Sequence, residues 1–170
     1  MVTIRDARPE ELDEVAGLLE ASYAQYGPPG TSSDDLAKAF EEYQHELRDV
    51  RSRLADSVLI VAENDDHIAG TVTFYPPGGE KKAEGWPKEW AAFRLLAVHP
   101  SARGLGIGKA LTEECLRRAR DLGATMMGLH TTVVMDVARA MYERMGFTRY
   151  PENDFHITDD FTVMAYRLPL

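Results

Sequence analysis

The sequence contains a single cysteine among its 170 residues, so no disulfide can form within the chain. A lone thiol suits a reducing compartment, although it does not by itself prove one. Cys115 falls on the apolar stripe of a predicted helix, and free cysteines are most often core residues. We therefore predict that Cys115 is a buried packing residue, with a nucleophilic or redox role as the alternative.

Long hydrophobic runs are also missing. No stretch approaches the roughly 20 apolar residues that a membrane-spanning helix needs, and residues 1–6 lack the apolar segment of a signal peptide. We expect a protein that does not associate with a membrane and that resides in the cytoplasm.

Positive charge is scarce as well, since 19 Lys and Arg against 28 Asp and Glu give a formal net charge of −9. Nucleic-acid-binding domains normally carry a basic patch, so this charge disfavours such a role. An acidic field would suit a cationic amine substrate, although acidity that serves solubility alone is the simpler interpretation. The length and the 44% of hydrophobic residues predict one globular domain over residues 1–170.

The order of the predicted elements indicates a mixed α/β (α+β) fold. Strands are predicted at 2–5, 58–63, 68–75, 90–98, 125–131, 147–150 and 162–168. Helices are predicted at about 9–23, 36–54, 106–122 and 136–145. The second helix carries six apolar residues along one face, which predicts that this face is buried. They are Leu36, Phe40, Tyr43, Leu47, Val50 and Leu54.

One segment combines a strand, three glycines and the start of a helix, and it reads LLAVHPSARGLGIGKA over residues 95–110. Glycines allow a sharp turn and a close backbone approach, and N–H groups here and at the helix start can bind a pyrophosphate. A Walker A loop would need Gly in place of Arg103 and Ser or Thr in place of Ala110, and a dinucleotide fingerprint fails in both registers. The spacing that is present is Arg-x-x-Gly-x-Gly, at Arg103, Gly106 and Gly108.

With the strand before it and the helix after it, this segment resembles the coenzyme A loop of the GNAT superfamily of N-acetyltransferases. A second motif of that family, a helix that ends in Tyr-x-x-x-Gly-Phe, is found at Tyr142, Gly146 and Phe147. The resemblance covers residues 94–147. It implies a GNAT-like fold, in which a mixed, mostly antiparallel central sheet of about six to seven strands is flanked by about four helices. It also implies an enzyme that transfers acetyl from acetyl-coenzyme A to an amine, without a metal.

The resemblance implies roles for named residues. Backbone groups of Leu96, Ala97 and Val98 would hold the pantetheine arm like an added strand. Tyr142 would lie near the coenzyme sulfur and protonate the leaving thiolate, with packing on an amphipathic helix as its alternative role. The loop amides would hold the pyrophosphate, and they belong to Arg103, Gly104, Leu105, Gly106, Ile107, Gly108 and Lys109.

Two positions depart from the family pattern. Met135 stands where the family often has Asn, and Ala92 stands near the position of a common Glu. Ala92 cannot take a proton, so the resemblance does not identify the general base. His130, at the end of the strand after the coenzyme helix, is the candidate for that role, and a structural histidine is the alternative. His99 is interpreted as a turn residue and Glu89 as a solvated carboxylate at a strand start.

The identity of the acceptor amine cannot be deduced from the sequence. In the family the acceptor groove is shaped by the first two helices and by the loop before the last strand. Candidate residues that could line this groove are Tyr23, Tyr26, Trp86, Glu152, Asp154, Asp159 and Asp160. Acidic groove residues would suit a cationic amine of a small molecule or peptide, and a solvated loop is the simpler alternative. A non-catalytic acyl-coenzyme A binding or sensing module is the competing function, and a homodimer through sheet edges is left open.

Overall fold

The computed structural model describes residues 1–26, 34–78 and 85–170, in which strands and helices surround one main sheet. The strands are β1 Val2–Asp6, β2 Val58–Asn64, β3 His67–Tyr75, β4 Ala91–Val98, β5 Met126–Thr131, β6 Thr148–Arg149, β7 Phe155–Thr158 and β8 Phe161–Pro169. The α-helices are α1 Leu12–Tyr23, α2 Asp34–Arg48, α3 Val50–Arg53, α4 Ile107–Asp121 and α5 Asp136–Arg144.

The strand order across the sheet is β1-β2-β3-β4-β5-β8-β6, and β7 pairs with β8 beside this path. Neighbouring strands are antiparallel except for β4 and β5, which run parallel. The mixed, mostly antiparallel sheet with flanking helices confirms the predicted fold class. The described part of the chain has eight strands and five α-helices, because the predicted acidic loop contains β7 and because the predicted second helix is divided into α2 and α3.

Helix α4 packs its apolar side against the sheet, and the middle of that side is Leu111, Cys115 and Ala119, none of which is exposed. Cys115 is therefore a core residue, as predicted, and burial raises the pKa of its thiol. The helix ends where Gly123 adopts a positive φ of 74°, a conformation that costs glycine little.

The apolar face that the sequence predicts over 36–54 is divided between two environments. Asp49, with φ −83° and ψ 62°, separates α2 from α3. Leu47 and Val50 are buried in a cluster with α1, whereas Phe40 and Tyr43 are only half-buried. Tyr43 packs against this cluster, whereas Phe40 lies outside it, and both residues border a cavity described below. Leu54, at the end of the predicted face, is 38% exposed, so the prediction of burial is wrong there.

Strands β4 and β5 pair only at their beginnings. In this ladder Ala91 lies opposite Met127 and Ala92 lies opposite Gly128, and these are its two residue pairs. Beyond them the two strands separate in the centre of the sheet. Backbone groups that would pair in a continuous sheet are thus left facing a gap.

A bulge in β4 lies next to this separation. Thr73 of β3 is opposite Arg94, whereas Thr71 is opposite Ala97, so β4 contains one extra residue. Leu95 within the bulge has φ +55°, an uncommon conformation for a residue with a branched side chain. Bulges bend a strand and re-aim its side chains, and this one directs the end of β4 away from β5.

Candidate active site

A cleft of about 710 Å³ opens where β4 and β5 separate. Its walls include β4 from Phe93 to Val98, the end of β5, and residues of α5. The C-terminal end of α1, the glycine turn and the first turn of α4 also line it. The gap in the sheet therefore brings both sequence motifs to one place.

The backbone of β4 is accessible along this cleft, and all three residues predicted to hold the pantetheine line it: Leu96, Ala97 and Val98. The Tyr23 hydroxyl donates a hydrogen bond to the Leu96 carbonyl at 3.0 Å, and the Ser22 hydroxyl donates to the Val98 carbonyl at 3.1 Å. A carbonyl oxygen has two lone pairs. Each carbonyl can therefore accept a further bond from a ligand in the cleft.

The glycine turn presents backbone at the start of α4. Gly104 and Gly106 have φ of +82° and +76°, and a Cβ built on either would meet nothing within 4 Å. The first hydrogen bond within α4 runs from the Ala110 N–H to the Gly106 carbonyl. The N–H groups of the first turn, up to Lys109, thus have no acceptor within the helix, which makes the turn an anion-binding feature.

The side chains of the turn lie in different surroundings. Arg103 donates to the Gln25 side-chain oxygen at 3.1 Å and lies close to the Ser22 carbonyl. Leu105 is 61% exposed, whereas Ile107 is buried in the core cluster. Ile107 lines the cleft, whereas Leu105 is the one residue of the turn from Arg103 to Lys109 that does not.

The cleft is cationic although the chain as a whole is acidic. Four positively charged side chains line it, and no carboxylate does so among the described residues. They are Arg103, Lys109 and Arg144, together with Arg94, whose charge is balanced by an ion pair with Glu46 of α2. Together with the amides of the glycine turn, this charge suits a ligand that carries several phosphates. The residues present therefore fit coenzyme A.

Tyr142 lies on α5 and is buried, with its ring 5.9 Å from that of Phe93 and 5.7 Å from that of Phe147. It also lines the cleft. Burial raises the pKa of the Tyr142 phenol well above its ordinary value. The hydroxyl therefore keeps its proton at neutral pH, so the ring packs in the core while the phenol remains a possible proton donor.

His130, near the end of β5, lines the same cleft. Its Nε2 lies 2.8 Å from the carbonyl oxygen of Asn153. A carbonyl oxygen only accepts hydrogen bonds, so Nε2 carries the hydrogen, and Nδ1 is the basic nitrogen of the neutral ring. The ring of Trp86 lies against it, with the centroids 4.7 Å apart. Main chain and an aromatic ring thus fix the orientation of the imidazole.

A second cavity of about 360 Å³ adjoins the cleft. The two share seven lining residues, which mark the place where they meet. These are Tyr23, Tyr26, Arg94, Leu95, His130, Thr131 and Met135. Two predicted groove residues, Tyr23 and Tyr26, are among them, and so is the candidate base. The glycine turn is not, so it lies away from the second cavity.

The other predicted groove residues do not line either cavity. Trp86 is buried beneath β5 instead, where Gly128 leaves room for its ring. Asp154 forms an ion pair with Arg149 at 2.6 Å and accepts a hydrogen bond from the Ala165 N–H. Asp154 therefore has a structural role.

The remaining acidic residues of that segment are exposed. Asp159 and Asp160 form the turn between β7 and β8, and Glu152 lies in a short helical turn before β7. Of the two interpretations of this acidic run, the exposed positions agree with a solvated loop and not with a groove lining, because the apolar side chains of the β7–β8 hairpin, rather than its turn, face the second cavity.

The two departures from the family pattern are also located by the structure. Ala92 is buried between Tyr75 and Gly128 in the sheet and lines neither cavity. Met135 precedes α5 and lies where the two cavities meet. His99 accepts a hydrogen bond from the Ser101 N–H and is a turn residue, as interpreted.

Sequence reasoning missed two cations of the cleft, Arg94 and Arg144. Arg94 lies in an apolar strand, and its side chain forms an ion pair with Glu46 of α2 at 2.6 Å. Arg144 is in the last turn of α5, where basic residues are ordinary. The sequence could have indicated Arg144 only by its position inside the Tyr-x-x-x-Gly-Phe motif.

Two features are absent from the ranges that the structure describes. Among these residues no group of three or more His, Cys, Asp or Glu is arranged to hold a metal ion. The same residues contain no helix that is both long and apolar enough to cross a membrane.

Comparison with known proteins supports the family resemblance. A mycothiol acetyltransferase of Cellulomonas flavigena is 32% identical over 123 residues, which are 66% of this chain and 35% of that protein. N-acetyltransferase 8 of Rattus norvegicus is 37% identical over 129 residues, 71% of this chain and 54% of that protein. The chain thus spans about a third to a half of the length of these curated relatives.

Solved structures share the fold over nearly the whole chain. The PaiA N-acetyltransferase of Thermoplasma acidophilum in complex with coenzyme A is 18% identical with a TM-score of 0.69, over 100% of this chain and 99% of that one. A GNAT family acetyltransferase of Brucella melitensis in complex with acetyl-CoA is 25% identical with a TM-score of 0.60, over 97% and 88%. The family described as acetyltransferase (GNAT) matches residues 18–147. This chain therefore belongs to the acetyltransferase (GNAT) family.

Proposed function

We propose that the protein transfers an acetyl group from acetyl-coenzyme A to an amine of a small molecule or peptide, in a complex that holds both substrates at once. The observation that carries this proposal is the junction of the two cavities. A cationic cleft with a glycine turn meets a second cavity at His130, and Tyr142 lines the cleft beside it. The relatives named acetyltransferases support the same reaction class.

The coenzyme would lie along β4 in the cationic cleft. The amides from Arg103 to Lys109 would bind the pyrophosphate, because they lie in the glycine turn and the first turn of α4. Backbone groups of Leu96, Ala97 and Val98 would pair with the pantetheine arm, in the way that an extended peptide adds to a strand edge. When bound, acetyl-coenzyme A supplies a thioester carbonyl as the acetyl donor.

In the proposed reaction one side chain at the site accepts a proton and another donates one. The neutral amine nitrogen attacks the thioester carbonyl, so that a C–N bond forms and the C–S bond breaks. His130 Nδ1 accepts the proton that the amine loses, directly or through a water molecule. Tyr142 donates its phenolic proton to the departing sulfur, which its raised pKa permits at neutral pH. A backbone N–H of the splayed part of β4 would stabilise the negative charge that develops on the carbonyl oxygen.

The test compares wild type, Tyr142→Phe and His130→Gln in two assays. One assay measures thiol release from acetyl-coenzyme A with a panel of amines, and the other measures coenzyme A binding by calorimetry. We expect Tyr142→Phe to lower kcat by about 10²-fold or more, since general acid catalysis contributes about 10²–10⁴, while coenzyme binding is kept. We expect His130→Gln to lower kcat/KM while coenzyme binding is kept, because the group that accepts the proton of the amine is removed.

Two other results would contradict the proposal. Tight coenzyme binding with no release for any amine would favour a non-catalytic acyl-coenzyme A binding or sensing module, to which Ala92 and Met135 already point. Failure to bind coenzyme A would contradict the assignment of the glycine turn itself. A single domain over residues 1–170, a cytoplasmic location and the oligomeric state stay predictions that other experiments must address.

A further inference from the structure

The acceptor side of the site differs in chemistry from the coenzyme side. We infer that the acceptor is a primary amine attached to a small aromatic or aliphatic body, rather than a polyamine or another multiply cationic molecule. This inference rests on the proposed function, because it identifies the second cavity as the place where the acceptor body lies. It deepens that proposal by naming a substrate class.

The wall of the second cavity is mainly apolar. Helix α2 contributes Leu36, Ala39, Phe40 and Tyr43 from one side, and the β7–β8 hairpin contributes Phe155, Ile157, Phe161 and Val163 from the other. The amphipathic face of α2 thus has a partner across the cavity, and that partner is equally apolar. A bound body with apolar surface would gain free energy in proportion to the area that it removes from water there.

Two of the three charges on this wall cancel each other. Three charged side chains line it besides His130: Glu42, Glu46 and Arg94. Glu46 and Arg94 form an ion pair at 2.6 Å, with both side chains partly buried. Glu42 is exposed. The carboxylate nearest the junction is therefore neutralised within the protein, so a second ammonium group placed there would lose its hydration without gaining a new partner. Glu42 offers only an exposed carboxylate, and ion pairs of exposed groups contribute little to binding.

The size of the cavity restricts the body further. About 360 Å³ is near the lower end of the roughly 300–1,000 Å³ that is typical of small-molecule sites. A volume of this size suits one ring or a short chain. A peptide could place a single apolar side chain in it, provided that its amine reaches His130 and Tyr23 at the junction.

Aromatic rings can also bind an ammonium group through their faces. Six aromatic side chains line the cavity, so this alternative gives the opposite expectation for cations. They are Tyr23, Tyr26, Phe40, Tyr43, Phe155 and Phe161. A matched pair of amines separates the two cases, because hexylamine and 1,6-diaminohexane have the same carbon chain and differ by one cation.

The experiment measures binding of amines by calorimetry in the presence of saturating coenzyme A. From butylamine to hexylamine we expect affinity to rise about tenfold, since two buried methylenes contribute roughly 0.8 kcal/mol each. We expect 1,6-diaminohexane to bind at least tenfold more weakly than hexylamine. Phe40→Ala and Phe155→Ala, on opposite walls, should each weaken hexylamine binding by tenfold or more. Leu122→Ala, at an exposed leucine after α4, is the matched control and should change nothing.

The experiment measures amine binding in the absence of turnover. A failure of the proposed acetyl transfer can therefore be distinguished from a failure of the inferred acceptor class. Hexylamine that binds as expected but is never acetylated would contradict the proposed function and leave this inference standing. A diamine that binds as tightly as hexylamine, or no measurable binding of any of the three amines, would overturn the inference even if another amine is acetylated. Unchanged affinity in both Phe variants, with folding verified by circular dichroism, would overturn it as well.

Discussion

Gly128 shows how a residue without a side chain can support a catalytic candidate. A Cβ at this position would come within 2.8 Å of the Trp86 ring, closer than real Cβ contacts allow. The ring fits beneath β5 only because Gly128 has no side chain, and it lies in turn against His130. The position of the imidazole therefore depends on a glycine two residues before it in the strand.

Replacement of this glycine tests the dependence. We expect Gly128→Ala to lower the free energy of unfolding by about 1–3 kcal/mol, as overpacking of a core typically does. We also expect a lower kcat with coenzyme A binding unchanged, because Trp86 must shift and His130 with it. Denaturant unfolding and thiol release measure the two effects.

The matched control is Gly17→Ala, since Gly17 lies within α1 and a Cβ there meets nothing within 4 Å. Alanine in place of glycine inside a helix should stabilise the protein by up to about 1 kcal/mol and leave kcat unchanged. If Gly128→Ala kept the kcat of wild type despite a clear loss of stability, Trp86 would have no role in positioning His130.

At the scale of elements, the glycine turn provides a prediction with an internal control. Gly106 and Gly123 lie at opposite ends of α4, have φ of +76° and +74°, and both face open space. Alanine at either position therefore brings a similar strain, about 1–2 kcal/mol in the left-handed region. Only Gly106 lines the cleft.

We expect Gly106→Ala to raise the Kd for coenzyme A by tenfold or more, because its methyl group would hinder the close approach of phosphates to the first turn. Gly123→Ala should lower stability by a similar amount and leave the Kd unchanged. Calorimetric titration of both variants provides the comparison. Equal Kd values for the two variants would show that the close approach at Gly106 does not matter.

The elements that the sequence predicts well are those with local signals. The turn at 64–67 and the ends of α4 follow from glycine and turn residues, and they were located to within about a residue. Strand β7 was missed, because its four residues lie among polar ones and its pairing with β8 is decided by the fold. The periodicity of α2 identified an apolar face correctly, but it could not say that Phe40 faces a cavity.

The candidate site likewise combines features that the local sequence determines with features that only tertiary packing determines. The amides of the glycine turn could be predicted, because they belong to one continuous segment. Arg94, Arg144 and the apolar second cavity could not, since tertiary packing alone brings them to the junction. The acidic residues between Glu152 and Asp160 suggested a cationic acceptor. Three of them are exposed to solvent and Asp154 is paired with Arg149, so they no longer support that suggestion.

At the scale of the whole molecule, ion pairs hold the first strand to the helical layer. Arg5 of β1 donates to both oxygens of Glu11 at 2.9 and 2.6 Å and also pairs with Glu63 of β2. The Arg5 guanidinium lowers the pKa of Glu11 to about 2 from an ordinary 4.5. This carboxylate is therefore more acidic in the folded chain than in the unfolded one.

The direction of the pH dependence follows from that difference. A lowered folded-state pKa contributes stability above about pH 4.5, and the contribution disappears as the pH falls through about 2. We expect Glu11→Gln to lower the free energy of unfolding by about 1.5–3 kcal/mol at pH 7, the usual range for a hydrogen bond to a charged group. The gap between variant and wild type should close between pH 4.5 and 2 in urea titrations. A gap that is equally large at pH 7 and pH 2 would contradict the role of ionisation.

The separation of β4 from β5 also affects the stability of the folded chain. A sheet that is open at its centre lacks one strand, and a bound ligand that pairs with β4 would complete it. Binding to the folded state alone stabilises that state in proportion to the logarithm of ligand concentration. The resistance of this chain to heat and proteolysis would then rise and fall with the concentration of coenzyme.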